Sequence, residues 1–471
     1  MKLLPYPEYK DSGVLWLGKI PKHWESYRLK YLAKINPTVD RKAEKPRTAS
    51  FVPMATIREN YPWFTAEERH YFELEKGFTN FCDGDVLIAK ITPCFENGKG
   101  GICRNLKNGI GFGSTEFHVV RPGSKLLTTY IYYLTITRNF RYFGKKHMQG
   151  SAGQQRVPTE LIKNIQIGVP PYNEQTQIAR FLDWKTAQIN KFTRNKRRLI
   201  ELLKEQKQNV INQAVTRGLD PKVKFKPSGV EWIGDIPEHW EARRLKTIAK
   251  VVLGKMLKTS PSKDDQLKPY LRSANIQWFE ANLSDVASMW FSQSEMEQYR
   301  ISKNDILVSE GGEVGRACIW QDELEECYIQ NSVHKVTAGA EVLPLFLLYQ
   351  FSAFGSKGAF KAVVNRVSIA HLTREKLVAV FFCKPPIEEQ KTILAHIQAK
   401  TAEIDQAIIR AQREIELMRE YRTRLISDVV TGQVDVRNVK CEGGSLNEDE
   451  FEDIEEVEEE IELPEGGEDD E

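Results

Sequence analysis

The chain has 471 residues, enough for two or three domains with real cores, and its 41% hydrophobic and 28% charged residues exclude a fibrous or wholly disordered protein. Its formal net charge of +2 is misleading: 17 Asp and Glu and no Lys or Arg follow from Glu442, leaving residues 1–441 with 67 basic against 48 acidic residues, a net +19. A body that basic suits a polyanion or an acidic partner protein. No apolar run reaches the roughly 20 residues of a membrane span, and the start "MKLLPYPEYK" has prolines and a Glu where a signal peptide would be apolar. Seven cysteines without a C-x-x-C pair read as reduced thiols, so a cytoplasmic, soluble protein is expected.

In chain order, the first feature is "SGVLWLGKIPKHW" at 12–24. Strand-like runs follow in "DVLIAKI" and "FHVVRP", then a helical stretch "LLTTYIYYLTITRNF" at 126–140. "GIGFG" at 109–113 lacks the G-x-G-x-x-G spacing and reads as a hairpin. After Pro170-Pro171 no Pro or Gly occurs until Gly218, the punctuation of a long helix. Then the chain starts again. "SGVEWIGDIPEHW" occupies 228–240, and residues 12–35 match 228–251 at 15 of 24 positions. Strand-like "DILVSE" and "HKVTAG" lead to Pro385-Pro386 and a second stretch without Pro or Gly until Gly432.

The ends of the two copies match and their middles do not. "DVLIAKITPCFENGKGGIC" (85–103) stands opposite "DILVSEGGEVGRACIW" (305–320), alike only in the opening strand. Matching ends imply a shared task and divergent middles a separate one. Each helix has about 45 residues, or roughly 65–70 Å. Ile178, Leu182, Ile189, Phe192, Leu199, Leu203 and Val210 fall on heptad positions of the first; Ile393, Ile397, Ile404, Ala407, Ala411, Met418 and Leu425 do so in the second. Lys185, Lys196, Lys400 and Glu414 are polar gaps in these stripes. Two such helices bury their stripes best on each other, so an antiparallel pair spacing two mixed α/β globular parts is expected.

No active site is legible. "ENGKGG" (96–101) lacks the P-loop spacing and its Ser or Thr. "VPPY" (169–172) has Val169 where an amino-methyltransferase would carry Asn, so the double proline reads as a brake ahead of a helix. No Pro-Asp dipeptide opens a nuclease site, and the eight histidines form no H-x-x-x-H pair. Polar side chains able to match base edges and phosphates concentrate instead in the divergent middles. The first supplies Lys90, Thr92, Asn97, Lys99, Arg104, Ser114 and Thr115; the second supplies Arg272, Asn275, Gln277, Arg316, Gln330 and Asn331. Singly each is more often a solvated loop residue than a DNA contact; their concentration makes the group candidate DNA contacts, the basic members as phosphate contacts before base readers. His118 and His334 share one repeat position and read as structural.

Taken together, the twinned Trp-Pro-His-Trp segment, "GDVLIAKITPCFENGKG" with "GFGSTEFHVVRP", "YLRSANIQW" with "DILVSEGGEVGRACIW", and "PPYNEQTQIA", "PPIEEQKTIL" and "LISDVVTGQVD" are specific. In these segments, over about residues 10–435, the chain resembles the DNA-specificity subunit of type I restriction–modification enzymes. The resemblance implies two target-recognition domains (1–170 and 228–387) reading an asymmetric, bipartite site in double-stranded DNA. It implies a pseudo-twofold repeat in which antiparallel coiled-coil helices (171–218, then a linker 219–227, and 388–433) set the spacing. It also implies a non-catalytic chain binding no cofactor itself. Two methyltransferase subunits would bring S-adenosylmethionine and adenine-N6 methylation, and two motor-nuclease subunits ATP, Mg and cleavage. The acidic tail, placed at 434–471, departs from the family pattern in 447–471; it reads as a disordered solubilising tail, with cover for a basic surface as the alternative. A scaffold joining two copies of a non-DNA partner is the alternative. Trp16, Pro21, Trp24 and their twins read as a clasp seating each domain on the helical frame or on a methyltransferase subunit, with core packing the first expectation for the tryptophans.

Overall fold

The computed structural model describes residues 3–38, 46–59, 61–151, 153–360 and 371–441. The chain divides into two compact units, residues 1–196 with 413–471, and residues 197–412. Both are mixed α/β. The long helices, Tyr172–Arg217 and Ile387–Val430, each contribute a segment to both units.

In the first unit, Ala33–Ile35, Phe117–Pro122, Val86–Ala89 and Gly100–Ile102 pair in that order as an antiparallel sheet. Val86–Ala89 is buried at every residue, which is why its sequence is apolar without alternation. Beside it lies a second sheet, ordered Glu67–His70, Thr48–Val52, Ile110–Gly113 and Thr79–Cys82, with its two central strands parallel. Here "GIGFG" corrects the expected hairpin. It is a strand whose glycines admit close neighbours: a Cβ on Gly111 would lie 2.2 Å from the Phe81 ring, and one on Gly113 2.5 Å from the Val52 carbonyl. The helical stretch after residue 126 is two helices, Thr128–Thr135 and Arg138–Lys146.

The second unit repeats this plan. Ala249–Leu253, Val333–Ala338, Ile306–Ser309 and Ala317–Ile319 form the antiparallel sheet, and Gln266–Leu271 pairs in parallel with Tyr328–Ile329 and antiparallel with Ala287–Phe291. The strand corresponding to Thr79–Cys82 shrinks to one bridge, Arg300 to Tyr328. Segments that diverge in sequence therefore keep one strand order, with Glu67–His70, Thr48–Val52 and Ile110–Gly113 answered by Ala287–Phe291, Gln266–Leu271 and Tyr328–Ile329.

The twinned opening segment joins each domain to both long helices. In the first unit Trp24 is fully buried, and its indole N–H donates to Glu174 Oε1 at 2.8 Å, two residues into the first helix. Tyr6 donates to the same oxygen at 2.7 Å, and His23 Nε2 lies 2.8 Å from the other. The end of the second helix meets this cluster from the other side: Gly432 has φ +76°, and a Cβ there would fall 2.4 Å from Pro21 and 3.2 Å from Trp24. Glycine after the helix serves both the left-handed cap and the close approach. The second unit mirrors the arrangement with the helices exchanged. His239 Nε2 lies 2.8 Å from Glu389 at the start of the second helix, and Gly218 after the first helix would place a Cβ 3.2 Å from Trp240. Trp16 is half-buried with its ring centroid 6.0 Å from that of Phe143.

The glutamine after each clasp glutamate completes the joint. Gln175 is buried, accepts the Leu127 N–H at 2.8 Å and donates to the Lys125 and Pro170 carbonyls at 3.0 Å. Gln390 makes the same three bonds with Leu343, Glu341 and Pro385. The E-Q dipeptide behind each double proline thus ties the long helix's start to the start of an earlier helix of the same domain, Thr128–Thr135 or Pro344–Ser356.

Within each unit the long-helix segments run antiparallel. In the first, Arg422 donates to Asn190 at 3.4 Å and Lys196 meets Glu414 at 2.6 Å, so two of the polar seam positions answer each other. In the second, Lys207 meets Asp405 at 2.7 Å and Gly218 meets Glu389. Ile178, Leu182 and Leu425 join the first unit's core, and Ile393 and Ile397 the second unit's. Ile189 and Ile404 are buried, while Phe192, Leu203, Val210 and Met418 are half-buried. Leu199 corrects the heptad reading: it is 41% exposed, and Ile200 is buried instead. A straight helix drifts about 20° per heptad, so three heptads beyond Ile178 the buried stripe has moved on by one residue. The expected tail is corrected as well. Residues 434–441 belong to the fold, with Val436 buried and its carbonyl and that of Val439 accepting from Gln177; residues 442–471 lie outside the described residues.

His118 and His334 are buried at matching positions, each with Nε2 on a backbone carbonyl, Val157 at 2.8 Å and Leu372 at 2.7 Å. Burial lowers both pKa values, that of His118 from 6.5 to about 4. Below pH 6.5 the unfolded chain takes up a proton that native His118 refuses. Its contribution, roughly 3 kcal/mol, is therefore full above pH 6.5 and lost as the pH falls to about 4. Urea denaturation across that window should give a flatter stability curve for His118→Gln than for the wild type; parallel curves would reject this reading.

Candidate nucleic-acid interface

In the first unit, strand Val86–Ala89 leads into the turn 90–99, and this end of the sheet gathers six of the seven candidates. The Lys90 N–H donates to the Glu116 carbonyl at 2.9 Å, and the Ala89 N–H to that of Lys99 at 3.1 Å, which brings Lys90, Thr92, Asn97 and Lys99 beside Ser114 and Thr115. Asn97 and Thr115 are exposed; Lys90, Lys99 and Ser114 are half-buried. The Thr92 hydroxyl is engaged, donating to the Gly153 carbonyl at 3.1 Å and accepting the Gln155 N–H at 3.2 Å, so it fastens residues 153–155 to the turn. Arg104 is separate. It follows the strand that leaves this end, with its guanidinium 3.1 Å from the Trp63 ring centroid and a charge that acts on Asp183 of the long helix.

In the second unit Gln330 and Asn331 lie in the turn before strand Val333–Ala338. Both are half-buried and bonded to each other. Arg272 pairs with Asp285, and Gln277 donates to the Ala274 carbonyl at 3.3 Å. Two candidates are corrected. Asn275 is 3% exposed, donates to the Asn282 and Asp285 carbonyls at 2.9 Å and accepts the Arg272 N–H, so it builds the turn and has no donor left for a base. Arg316 is 8% exposed and directed to the Ser273 carbonyl and Glu313, so it is no phosphate contact.

Residues absent from the sequence-derived set complete one junction in each unit. In the first, the Val157 N–H donates to the Lys90 carbonyl at 2.9 Å, and Arg156 grips the Glu116 carboxylate through Nε and Nη2 at 2.9–3.1 Å. In the second, the Glu310 N–H donates to the Ser332 carbonyl at 2.9 Å, and the Leu372 N–H to the Glu310 carbonyl at 2.9 Å. The backbone bonds are the same; the side chains are not. Lys90 corresponds to Glu310, Glu116 to Ser332, and Arg156 to His371. Neither Lys90 nor Glu310 has an ion-pair partner among the described residues, and partial burial raises the Glu310 carboxyl above its usual range. Only register could have found these pairs, since Lys90, Glu116 and Arg156 are distant in sequence.

Among the described residues no group of His, Cys, Asp and Glu could hold a metal ion, and no helix is long and apolar enough to cross a membrane. The profile of the type I restriction modification DNA specificity domain matches residues 21–202 and again 237–416, most of the chain. The chain belongs to the type I restriction–modification specificity family. The Escherichia coli EcoAI specificity subunit is 40% identical over 179 residues, 38% of this chain, but that stretch spans only 30% of the relative's own length. The Methanocaldococcus jannaschii protein described as a putative type I restriction enzyme MjaX specificity subunit is 23% identical over 92% of this chain and 99% of its own. Two solved structures share the fold. One, from a study of complex assembly and conformational transition of the type I R-M system, has a TM-score of 0.68 at 16% identity, covering 87% of this chain and 98% of its own. The other, the HsdS subunit from Thermoanaerobacter tengcongensis, has a TM-score of 0.53 at 17% identity, covering 88% and 98%. Both matched profile segments of this specificity-family chain contain one of the junctions.

Proposed function

We propose that this specificity-family chain is the non-catalytic DNA-reading subunit of a type I restriction–modification complex. Each unit takes one half of an asymmetric, bipartite duplex site. The helices set the spacing and offer docking surfaces to two methyltransferase subunits, which supply S-adenosylmethionine chemistry, and to two motor-nuclease subunits, which supply ATP, Mg and cleavage. One observation carries the reading: the two units hold one backbone junction in common and equip it with different polar side chains. A scaffold for two copies of one protein has no use for that difference, whereas a reader of two unlike half-sites requires it. The +19 net charge of residues 1–441 supports a polyanionic ligand.

Titrating the full chain with duplex DNA tests the proposal. Phosphate contacts release counterions, so affinity should fall by roughly a thousandfold or more between ~50 and ~200 mM salt if six or more phosphates are neutralised. Binding that ignores salt, or no binding at low salt, would leave the scaffold reading in its place.

A further inference from the structure

We infer that Lys90 and Glu310 are specificity-determining residues at one shared position of the two units, and that they read base edges of opposite hydrogen-bonding polarity. This rests on the DNA-reading function proposed above. Both residues stand at the first position beyond a buried strand, Val86–Ala89 or Ile306–Ser309. Both are fixed by the same two backbone bonds, an N–H given to the neighbouring turn and a carbonyl that accepts from residue 157 or 372. Behind each junction a buried histidine, His118 or His334, holds the carbonyl of residue 157 or 372. Backbone position is thus set by the scaffold, and the side chain is left to vary.

The neighbours reinforce the opposition. Around Lys90 the Glu116 carboxylate is already taken by Arg156, so it does not neutralise the lysine, and the junction presents donors with a net positive charge. Around Glu310 stand Ser332, whose hydroxyl donates to Gln330 and accepts the Ser273 N–H, exposed His371, whose charge acts on the Glu310 carboxyl, and Glu375; the Glu310 carboxylate is the acceptor this junction presents. In the major groove a lysine ammonium matches guanine O6 and N7, and a carboxylate matches an exocyclic amino group, cytosine N4 or adenine N6. The first unit's half-site therefore contains a guanine read by Lys90, and the second unit's an amino-bearing base read by Glu310.

Selection from a randomised duplex library with the full chain at low salt tests this, using wild type, Lys90→Ala, Lys90→Arg and Glu310→Ala. Wild type should enrich a bipartite site. Lys90→Ala should lose about tenfold or more of its preference for one guanine in one half-site and leave the other half-site intact; Lys90→Arg, which keeps the donors, should retain it. Glu310→Ala should relax one position of the other half-site only, and the base lost, cytosine or adenine, identifies the amino group. Thermal melts matching the wild type establish that the variants fold. A wild-type site reproduced by both alanine variants overturns this inference and leaves DNA reading standing. Enrichment of no sequence by the wild type overturns the DNA-reading proposal itself.

Discussion

Truncating Trp24 to alanine is expected to destabilise the first unit by about 3–5 kcal/mol, the range for emptying a buried aromatic site. Trp24 has no exposed surface, and its ring touches the close approach of Gly432 and Gly168 as well as Tyr6. The space cannot collapse easily, because its walls belong to the domain and to the ends of both long helices. A loss below about 1 kcal/mol in chemical denaturation would contradict this account. The twin sharpens the test. Trp24 gives its indole N–H to Glu174, whereas the Trp240 N–H is buried without an acceptor among the described residues. Phenylalanine at 24 should therefore cost about 1.5–3 kcal/mol more than phenylalanine at 240, since it strips a partner from a buried carboxylate in one case and removes an unmet donor in the other. Equal costs would mean that packing alone holds both clasps.

The second large effect lies at Asp85, at the opposite end of the strand from the Lys90 junction. Its carboxylate has no exposure, accepts Nε and Nη2 of Arg121 at 2.7 Å and the Cys82 N–H at 2.8 Å. Asp85→Ala should cost about 3 kcal/mol, the low end for breaking a buried pair, because Arg121 is 30% exposed and can rehydrate in part. The second unit solves the same position differently: Asp305 accepts the Ser302 N–H at 2.9 Å and the hydroxyl of Thr337, which stands where Arg121 does. Arg121→Thr should then be milder than Asp85→Ala, and combining it with Asp85→Ala should add little. Additive losses in a double-mutant cycle would show that the two residues do not act together.

The repeat, the long helices and the structural role of His118 and His334 could be read directly, because apolar periodicity, helix punctuation and duplication are local patterns. Leu199 lies one residue off the buried stripe because a strict heptad ignores the drift of a straight helix. "GIGFG" is no hairpin because glycine, which local rules treat as a bend, here admits the Phe81 ring beside a strand. Asn275 and Arg316 have the side chains of DNA readers and the burial of framework residues, a distinction composition does not carry. Glu116, Arg156, Glu310 and His371 carry no local signal, because their significance lies in which residue stands opposite which.

By itself the sequence determined that one chain carries the same unit twice, that each copy ends in a long helix, and that their middles differ. These follow from residue order, hydrophobic period and the backbone limits of proline and glycine. Only the tertiary structure decided that Trp24 meets Glu174 and Gly432, that the divergent middles keep a common strand order, and that Lys90 and Glu310 occupy one shared position. Each of those pairings joins residues tens to hundreds of positions apart. Strand register and packing select them after the chain has folded, and no local propensity encodes them.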